Sequence, residues 1–400
     1  MRIVLSTCMS IPHAGGASTH FELLCRSLDT ASIFAGRIVG QDCLPSRARR
    51  VILALWAFGD KDQRRLALLH ETTSLLTKAI DKLVASCSPS LIHSHDALAT
   101  YAAVNAPSMR ERAIPVIQTV HGPWSREALT SGAGQDSLFF QKLRQIEESA
   151  FAKCSGFIAV DQGQADILAT DFGVPWERIS VVHNAVDCAE ISYLSKQPAD
   201  RHVPGPYFIV PRRLVPKNGV HVAIEALKCM ANPGLHLIIA GDGPLSDDLR
   251  NRAVAHGLQS RVHFLGNLSR EQLMPLMAGS VGVVVPSVPC EGVIEATSLS
   301  VIESFACGVP VIASNIGGLA ELIRHGRNGL SFPAGDAALL AANMSLLLEM
   351  PISERKRICD EALSGVLAKL DVKPWLRFTL QAYEKVLSPV QASVGKEYRQ

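Results

Sequence analysis

Residues 283–318 read VVVPSVPCEGVIEATSLSVIESFACGVPVIASNIGG and hold two short apolar strand patterns around a helix pattern. The strands are predicted over Val281–Val285 and Val309–Ala313, and the helix between them is predicted to begin near Ser298. Strands that are apolar throughout are typical of parallel sheets with helices on both faces. The stretch therefore predicts a strand–helix–strand unit of an α/β domain.

The same alternation continues along the chain in both directions. The other predicted strands are Ile3–Thr7, Leu91–Ser94, Val116–Val120, Gly156–Val160, Ile179–Val182, Tyr207–Val210, Leu235–Ala240 and Val262–Leu265. A chain of 400 residues is longer than one hydrophobic core usually organises. The sequence therefore predicts two doubly wound, Rossmann-like α/β domains that face each other across a cleft.

A polar segment ending in Pro204-Gly205-Pro206 marks the predicted boundary between the domains. We expect a first domain over residues 1–187, a linker over 188–205 and a second domain over 206–370. A C-terminal helix over 371–388 is expected to pack back on the first domain, and residues 389–400 are expected to form a flexible tail.

The composition excludes several classes of protein. Hydrophobic residues make up 48% of the chain and charged residues 19%, which is typical of a folded protein. The net charge of +2 offers no overall field for binding nucleic acid. The ten cysteines form no C-x-x-C pair, which favours reduced thiols in a cytoplasmic protein without a structural metal.

Two carboxylates flank the predicted start of the helix at Ser298. Glu295 and Glu303 have seven residues between them, and Thr297 and Ser300 lie in the same interval. Free backbone N–H groups at a helix N-terminus bind phosphates, whereas carboxylates accept hydrogen bonds from sugar hydroxyls. The stretch therefore predicts a site for a ligand that combines a polyol with a diphosphate, as a nucleotide sugar does.

Cations and glycines lie in two other predicted strand-to-helix loops. Arg213 and Lys217 precede a helix expected to begin near Gly219, where they would neutralise a leaving diphosphate. Gly15-Gly16 lies ahead of Thr19 and Glu22, whose spacing predicts a capping box for the first helix. A solvated basic loop and a plain tight turn are the alternative interpretations.

These motifs occur together with G-D-G-P at Gly241–Pro244, F-L-G-N-L at Phe264–Leu268, T-V-H-G at Thr119–Gly122 and V-V-H-N-A-V-D at Val181–Asp187. These motifs, and their order along the chain, resemble those of the retaining GT-B glycosyltransferases, the large family that includes bacterial mannosyltransferases and sucrose synthases. The resemblance extends from Met1 to about Leu387 and is strongest over Tyr207–Gly318.

The resemblance implies a role for each matching residue. The implied catalytic residues are His121, Arg213, Lys217 and Glu295. The implied donor-binding residues are Gly15 and Gly16 on the cleft floor, Arg213 and Lys217 at the diphosphate, Gly266, Asn267 and Leu268 at the nucleobase, Glu295 at the sugar, Thr297, Ser298, Leu299 and Ser300 at the phosphates, and Glu303 at the ribose.

The resemblance also implies the reaction. A sugar would pass from a nucleotide sugar to a glycan, lipid-linked or small-molecule acceptor with retention of configuration. No divalent metal and no other cofactor would take part, and no metal ligand is assigned.

Three positions depart from the family pattern. The family's lysine follows the arginine by five positions, where this chain has Asn218, and Ala185 and Pro211 stand where glycine is usual. These departures keep open a second hypothesis, a catalytically impaired protein that only binds nucleotide sugars. Glu291 is an alternative to Glu295, but only Glu295 has the seven-residue spacing to Glu303.

Three further alternatives come from other segments. An NAD-dependent oxidoreductase is disfavoured because no G-x-G-x-x-G follows the first predicted strand. His13, His93 and His95 resemble metal ligands, but the sequence shows no third ligand for His93 and His95. Residues 46–70 mix arginines with an apolar run, which predicts either a peripheral contact with the inner face of the membrane or a solvated surface helix.

Overall fold

The computed structural model describes residues 1–12, 15–43, 60–130, 132–199 and 203–388. Within these ranges the strands are β1 (Ile3–Ser6), β2 (Phe34–Ile38), β3 (Leu91–Ser94), β4 (Val116–Val120), β5 (Gly156–Ala159), β6 (Ile179–Val181), β7 (Tyr207–Val210), β8 (His236–Ala240), β9 (Val262–Gly266), β10 (Gly282–Val285), β11 (Val311–Ser314) and β12 (Leu330–Phe332).

The helices of the first half are α1 (Gly16–Thr30), α2 (Gly40–Cys43), α3 (Lys61–Cys87), α4 (Ala97–Asn105), α5 (Pro107–Glu111), α6 (Trp124–Thr130), α7 (Leu138–Lys153), α8 (Gln162–Phe172) and α9 (Cys188–Leu194). Those of the second half are α10 (Val220–Cys229), α11 (Ser246–Ala255), α12 (Arg270–Ala278), α13 (Leu299–Ala306), α14 (Gly317–Leu322), α15 (Ala337–Glu349), α16 (Ile352–Lys369) and α17 (Val372–Leu387). Short 3₁₀ turns cover Trp176–Arg178 and Pro216–Asn218.

Two parallel sheets, each of six strands, organise these elements. The strand order is β2-β1-β3-β4-β5-β6 in the first sheet and β12-β11-β10-β7-β8-β9 in the second. Every predicted strand is present, and the two doubly wound α/β domains are confirmed. The sequence did not predict β2 and β12, because β2 is only half-buried at a sheet edge and β12 has just three residues.

Helix α17 belongs to the first domain although it follows the second in sequence. Its Trp375 and Tyr383 are fully buried among residues of the first domain such as Phe21 and Leu24. The Tyr383 hydroxyl lies 2.7 Å from Nδ1 of His93 on β3. The described part of the chain therefore crosses between the domains before α9 and again before α17.

The interval 188–205, predicted as a linker, contains α9. Asp187 caps this helix by accepting a hydrogen bond from the Glu190 amide (2.9 Å). Ile191 and Leu194 are buried in the core of the second domain. The apolar residues of α9 therefore make it part of that domain. Residues 200–202 and the predicted tail 389–400 lie outside the described residues.

The predicted capping box at the start of the first helix is wrong. Helix α1 begins at Gly16, with Gly15 as the N-cap and no side-chain cap, so Thr19 and Glu22 lie inside the helix. Gly15 has φ 146°, which a side chain would disfavour, and this tight turn starts the helix one turn earlier than predicted.

The predicted membrane contact at residues 46–70 falls mostly outside the described residues. Its last part begins α3, where Asp60 caps the helix by accepting hydrogen bonds from the Asp62 and Gln63 amides. Among the helices that the structure describes, none combines the length and the apolar character needed to cross a bilayer.

Candidate active-site cleft

A cleft of about 970 Å³ lies between the carboxyl ends of the two sheets. Of the predicted site residues, those that line it are Gly15, Gly16, His121, Arg213, Lys217, Asn267, Leu268, Glu295, Thr297, Ser298, Leu299 and Ser300. Gly266 and Glu303 are not lining residues. The fold therefore brings most of the predicted site together from segments far apart in sequence.

The N-terminus of α13 forms part of the second-domain wall. Ser298 is the N-cap, which confirms the predicted start of this helix. The first amides of a helix have no acceptor within it, so those of Leu299 and Ser300 are available to a ligand. The Ser300 hydroxyl donates to the Pro211 carbonyl (2.9 Å) and ties this turn to the loop after β7.

Thr297 connects the two domains instead of offering its amide to a ligand. Its N–H donates to Oδ2 of Asp161 (2.9 Å), its hydroxyl donates to the Val160 carbonyl (2.5 Å), and its carbonyl accepts from Asn184 (2.9 Å). The predicted contact between the Thr297 amide and phosphate is therefore not met. Burial raises the pKa of Asp161 to about 6, and the nearby Glu321 carboxylate adds to the rise.

Glu295 is held by Arg212, a residue that the sequence analysis did not single out. Nη2 of Arg212 lies 2.8 Å from Oε2 of Glu295, and Nη1 donates to the Ser298 hydroxyl (3.0 Å). Nη2 also donates to Asn218 (2.6 Å) and Ser287 (3.2 Å). Arg212 is 9% exposed. The available signal was the adjacent pair Arg212-Arg213 directly after a buried strand, where neighbouring side chains point in opposite directions.

The two predicted cations have different surroundings. Arg213 is exposed at the cleft wall, and its carbonyl accepts a hydrogen bond from the Asn218 amide group (2.7 Å). Lys217 is paired with Glu127 of α6, across the cleft, with Nζ 2.6 Å from Oε1. The Lys217 ammonium therefore contacts the first domain and not the N-terminus of α13.

Glu303 lies behind the cleft wall on the buried face of α13. It is 8% exposed, and its Oε1 lies 3.4 Å from Nη2 of Arg270. Burial raises the pKa of Glu303, although Arg270 opposes the rise. Only Glu295 lines the cleft, so the prediction that both carboxylates face one ligand is not met in this conformation.

The predicted nucleobase loop lies at the end of β9. Gly266 has φ 68°, a left-handed conformation that favours glycine, and it forms an isolated bridge with Gly241. Asn267 and Leu268 follow it into the cleft lining. The turn at Gly266 thus presents the next two residues to the cleft.

His121 closes the first-domain wall together with two other histidines. One ring nitrogen each of His20, His95 and His121 lies within 4.8 Å of the other two. Both ring nitrogens of His95 and Nε2 of His121 have no hydrogen-bond partner among the described residues. Burial lowers the pKa of all three rings, that of His20 to about 4. Neutral imidazoles so placed could bind a cation such as Zn²⁺.

The favoured interpretation of His93 and His95, as structural or cleft-lining residues, agrees with the structure, in which His95 lines the cleft. The other two candidate metal ligands beside His95 are His20 on α1 and His121 at the end of β4, which no pattern in the sequence could bring together. His93 is excluded from the cluster because its Nδ1 lies 2.7 Å from the Tyr383 hydroxyl and its Nε2 lies 2.7 Å from the Thr119 hydroxyl. His13 lies outside the described residues.

Family models match both halves of the chain. The model of glycosyl transferases group 1 matches residues 195–363, and that of glycosyltransferase family 4 matches residues 14–190. Glycogen synthase of Mycobacterium tuberculosis is 28% identical over 274 residues, which are 68% of this chain and 63% of that protein. The chain thus spans somewhat less than two thirds of this relative.

Solved structures share the whole fold. HepE of Anabaena, solved in complex with UDP and glucose, has a TM-score of 0.71 and 22% identity over 97% of this chain and all of its own. Sucrose-phosphate synthase of Thermosynechococcus elongatus has a TM-score of 0.72 and 18% identity over 96% of this chain and 99% of its own. These likenesses confirm the architecture of two facing domains.

Proposed function

Because the chain belongs to the glycosyl transferases group 1 family and has its GT-B fold, we propose that it transfers a sugar from a nucleoside diphosphate sugar to an acceptor hydroxyl. The observation that carries the proposal is the pairing of two walls in one cleft. The N-terminus of α13 and Glu295 lie on the second domain, and His121 faces them from the first. An anion-binding helix end beside a carboxylate suits a diphosphate joined to a sugar.

The proposed donor site lies on the second domain. The diphosphate contacts the amides of Leu299 and Ser300 and the side chain of Arg213, while Glu295 accepts hydrogen bonds from the sugar hydroxyls. Asn267 and Leu268 meet the base. The HepE structure with UDP and glucose supports this class of donor, because that protein has the same fold.

The proposed reaction retains the anomeric configuration and needs no divalent metal. The bond between the sugar and the diphosphate breaks, the acceptor oxygen bonds to the same face of the sugar, and the acceptor proton passes to a departing phosphate oxygen. Fixed positive charge and helix amides stabilise the negative charge that develops on the diphosphate. His121 lies on the opposite wall, where its neutral ring can accept a hydrogen bond from the sugar or donate one to it.

The acceptor is proposed to enter from the first domain as a glycan, a lipid-linked glycan or a small molecule. A cytoplasmic location, a peripheral membrane contact through residues 46–70 and the absence of nucleic acid among the partners stay predictions.

A second candidate function is nucleotide-sugar binding without catalysis, which the substitution of the family lysine by Asn218 favours. A thermal-shift screen with UDP, GDP and ADP sugars tests both candidates, since a ligand at 100 times its Kd stabilises by about 2.7 kcal/mol. A second assay, which measures the release of free nucleoside diphosphate in the presence of an acceptor extract, then distinguishes the transferase from the protein that only binds. Stabilisation without turnover supports the binding protein, and the absence of stabilisation by any of these donors contradicts both.

A further inference from the structure

Three histidine side chains meet in the first-domain wall of the cleft. His20 lies on α1, His95 follows β3 and His121 follows β4, and one ring nitrogen of each lies within 4.8 Å of the other two. His20 and His95 are only 2% and 3% exposed, whereas His121 is partly exposed. His95 and His121 also line the cleft. The cluster is thus built by one domain and opens toward the ligand space.

Hydrogen bonds fix which nitrogen of the His20 ring carries the proton. The Thr297 carbonyl can only accept, so it is the amide nitrogen of Asn184 that faces it at 2.9 Å. The amide oxygen of Asn184 then lies 2.9 Å from Nδ1 of His20, which must donate. Burial lowers the pKa of His20 to about 4, so the ring is neutral at pH 7 and Nε2 keeps its lone pair. A polar acceptor on the other ring nitrogen is the usual outer shell of a metal-binding histidine.

His95 and His121 contribute buried nitrogens that need a partner. Both ring nitrogens of His95 and Nε2 of His121 have no hydrogen-bond partner among the described residues. The adjacent Asp96 carboxylate does not serve them, because it accepts from the Thr7 hydroxyl and from two backbone amides, each at 2.8 Å. Buried polar atoms without a partner are rare in folded proteins, so three in one cluster point to a ligand.

The chemistry of the three side chains selects the ligand. Neutral imidazole nitrogens suit Zn²⁺, whereas Mg²⁺ and Ca²⁺ prefer oxygen ligands. Among the described residues, the cluster includes no carboxylate and no thiol. A tetrahedral Zn²⁺ ion about 2.0–2.1 Å from each nitrogen would hold the nitrogens about 3.4 Å apart, which small rotations of the rings can reach. Three protein ligands leave the fourth position of such an ion open.

We propose that His20, His95 and His121 form a Zn²⁺ site whose fourth coordination position opens into the cleft, and that zinc bound there inhibits sugar transfer. The inhibition rests on the proposed function, in which His121 faces the sugar. Bound zinc takes a lone pair of His121 away from the sugar. Positive charge also develops on the sugar as its bond to the diphosphate breaks, and a divalent cation on the same wall opposes this. The transfer itself stays independent of metal.

Zinc binding is measured without any nucleotide sugar, so this result does not depend on the proposed function. ZnCl₂ is titrated into the whole chain, which carries no polyhistidine tag and has been treated with a chelator and dialysed. A phosphine reductant keeps the ten cysteines reduced. We expect one equivalent of Zn²⁺ to bind, and Mg²⁺ in about a hundredfold excess should not displace it. Co²⁺ in place of zinc should give the visible absorption of a tetrahedral site without the intense band of thiolate ligands.

Variants locate the bound ion. His20→Gln and His121→Gln each remove one ligand and should weaken zinc binding about a hundredfold or more, and Asn184→Ala, which removes the outer-shell acceptor, about tenfold. The matched control is His263→Gln. It breaks another close histidine pair, in which Nδ1 of His236 lies 3.0 Å from Nε2 of His263. The affinity of this control for zinc should stay within about twofold of wild type.

Three results overturn the site. They are the absence of a bound equivalent in the wild-type protein, an affinity within about threefold of wild type in both ligand variants, and an equal loss in His263→Gln. If His20→Gln does not fold, His121→Gln decides alone, because its ring is partly exposed. Zinc binding through the cysteines would appear as thiolate absorption with Co²⁺ and would also overturn the assignment.

Inhibition is tested by initial rates of transfer with the donor held below its KM. Zinc at ten times its measured Kd should lower the wild-type rate about tenfold, and EDTA should restore it. The ratio of the rates with and without zinc should be near one in His20→Gln. A wild-type rate that zinc leaves unchanged or raises overturns the inhibitory role. Failure of the wild-type protein to transfer any sugar in zinc-free buffer contradicts the proposed function instead, and the binding result is unaffected by it.

Discussion

The Lys217 ammonium lies 2.6 Å from the Glu127 carboxylate, and the two residues belong to different domains. Lys217 follows β7 in the second domain, whereas Glu127 lies on α6 in the first. The ion pair spans the cleft in which the donor is proposed to bind. Lys217 must leave Glu127 before it can contact a diphosphate, so this ion pair competes with the predicted catalytic role.

We expect Lys217→Ala to lower kcat by less than about tenfold, because a part-exposed ion pair contributes only about 0.2–1 kcal/mol. A cation that acts on the leaving diphosphate would instead contribute a factor of about 10²–10³. Steady-state kinetics at saturating donor distinguish the two values. Glu127→Gln is the matched control and should reproduce the effect, with the double variant less than additive. A hundredfold loss for Lys217→Ala beside a normal Glu127→Gln would support the catalytic role that the resemblance implies for Lys217.

Glu295→Gln should lower kcat/KM by about tenfold to a hundredfold, since it removes a charged acceptor for sugar hydroxyls and the partner of Arg212. Glu291→Gln is the matched control: Glu291 is exposed at a turn with φ 49° and does not line the cleft. Its activity should stay within about twofold of wild type. The reverse pattern would show that the seven-residue spacing had selected the wrong glutamate.

The sequence predicted the sheets well because buried parallel strands are continuous apolar runs. It also located the start of α13, because Ser298 lies directly before an apolar helical pattern. The edge strands β2 and β12 were missed because their residues are partly exposed or few. Local sequence patterns therefore predicted the central strands of both sheets but not the edge strands.

The candidate site was predicted less completely, because its contacts join distant segments. The sequence offered Arg212 and Arg213 equally, and only the direction of the chain after β7 shows that Arg212 points inward. Glu127 is 90 positions from Lys217 in sequence, so no spacing rule links them. The same limit hid the contact of His20 with His95 and His121.

Stability should fall as pH decreases from about 6.5 to 4, in part because of His20. Burial lowers the pKa of His20 from 6.5 to about 4, and the surrounding groups are Asn184, Trp375 and the rings of His95 and His121. Between these pH values the unfolded chain binds a proton that the folded protein does not. The stabilisation is therefore complete above the unfolded pKa and is lost by about 1.4 kcal/mol per pH unit below it.

His20→Gln should reduce this slope, measured as the change of the melting midpoint between pH 7.5 and 5. His70→Gln, at an exposed position on α3, is the control and should keep the wild-type slope. Asp161 contributes with the opposite sign, because its pKa is raised to about 6 and its stabilisation is lost as pH rises from 3.8 to 6. A wild-type slope in His20→Gln would show that this ring does not resist protonation.

Transfer activity should survive treatment with EDTA, because the chain supplies positive charge to the diphosphate without a metal. Arg212, Arg213 and the first amides of α13 all lie in the cleft wall that is proposed to hold the donor. The measurement compares initial rates before and after EDTA, with manganese, magnesium or zinc added back to the treated protein. Loss of activity that manganese or magnesium restores would contradict metal-independent departure of the diphosphate. Restoration by zinc alone would instead implicate His20, His95 and His121, whose neutral nitrogens suit zinc better than magnesium. His121→Gln tests that case further: zinc should no longer restore activity to the EDTA-treated variant, while the affinity of the second domain for nucleoside diphosphates should stay unchanged.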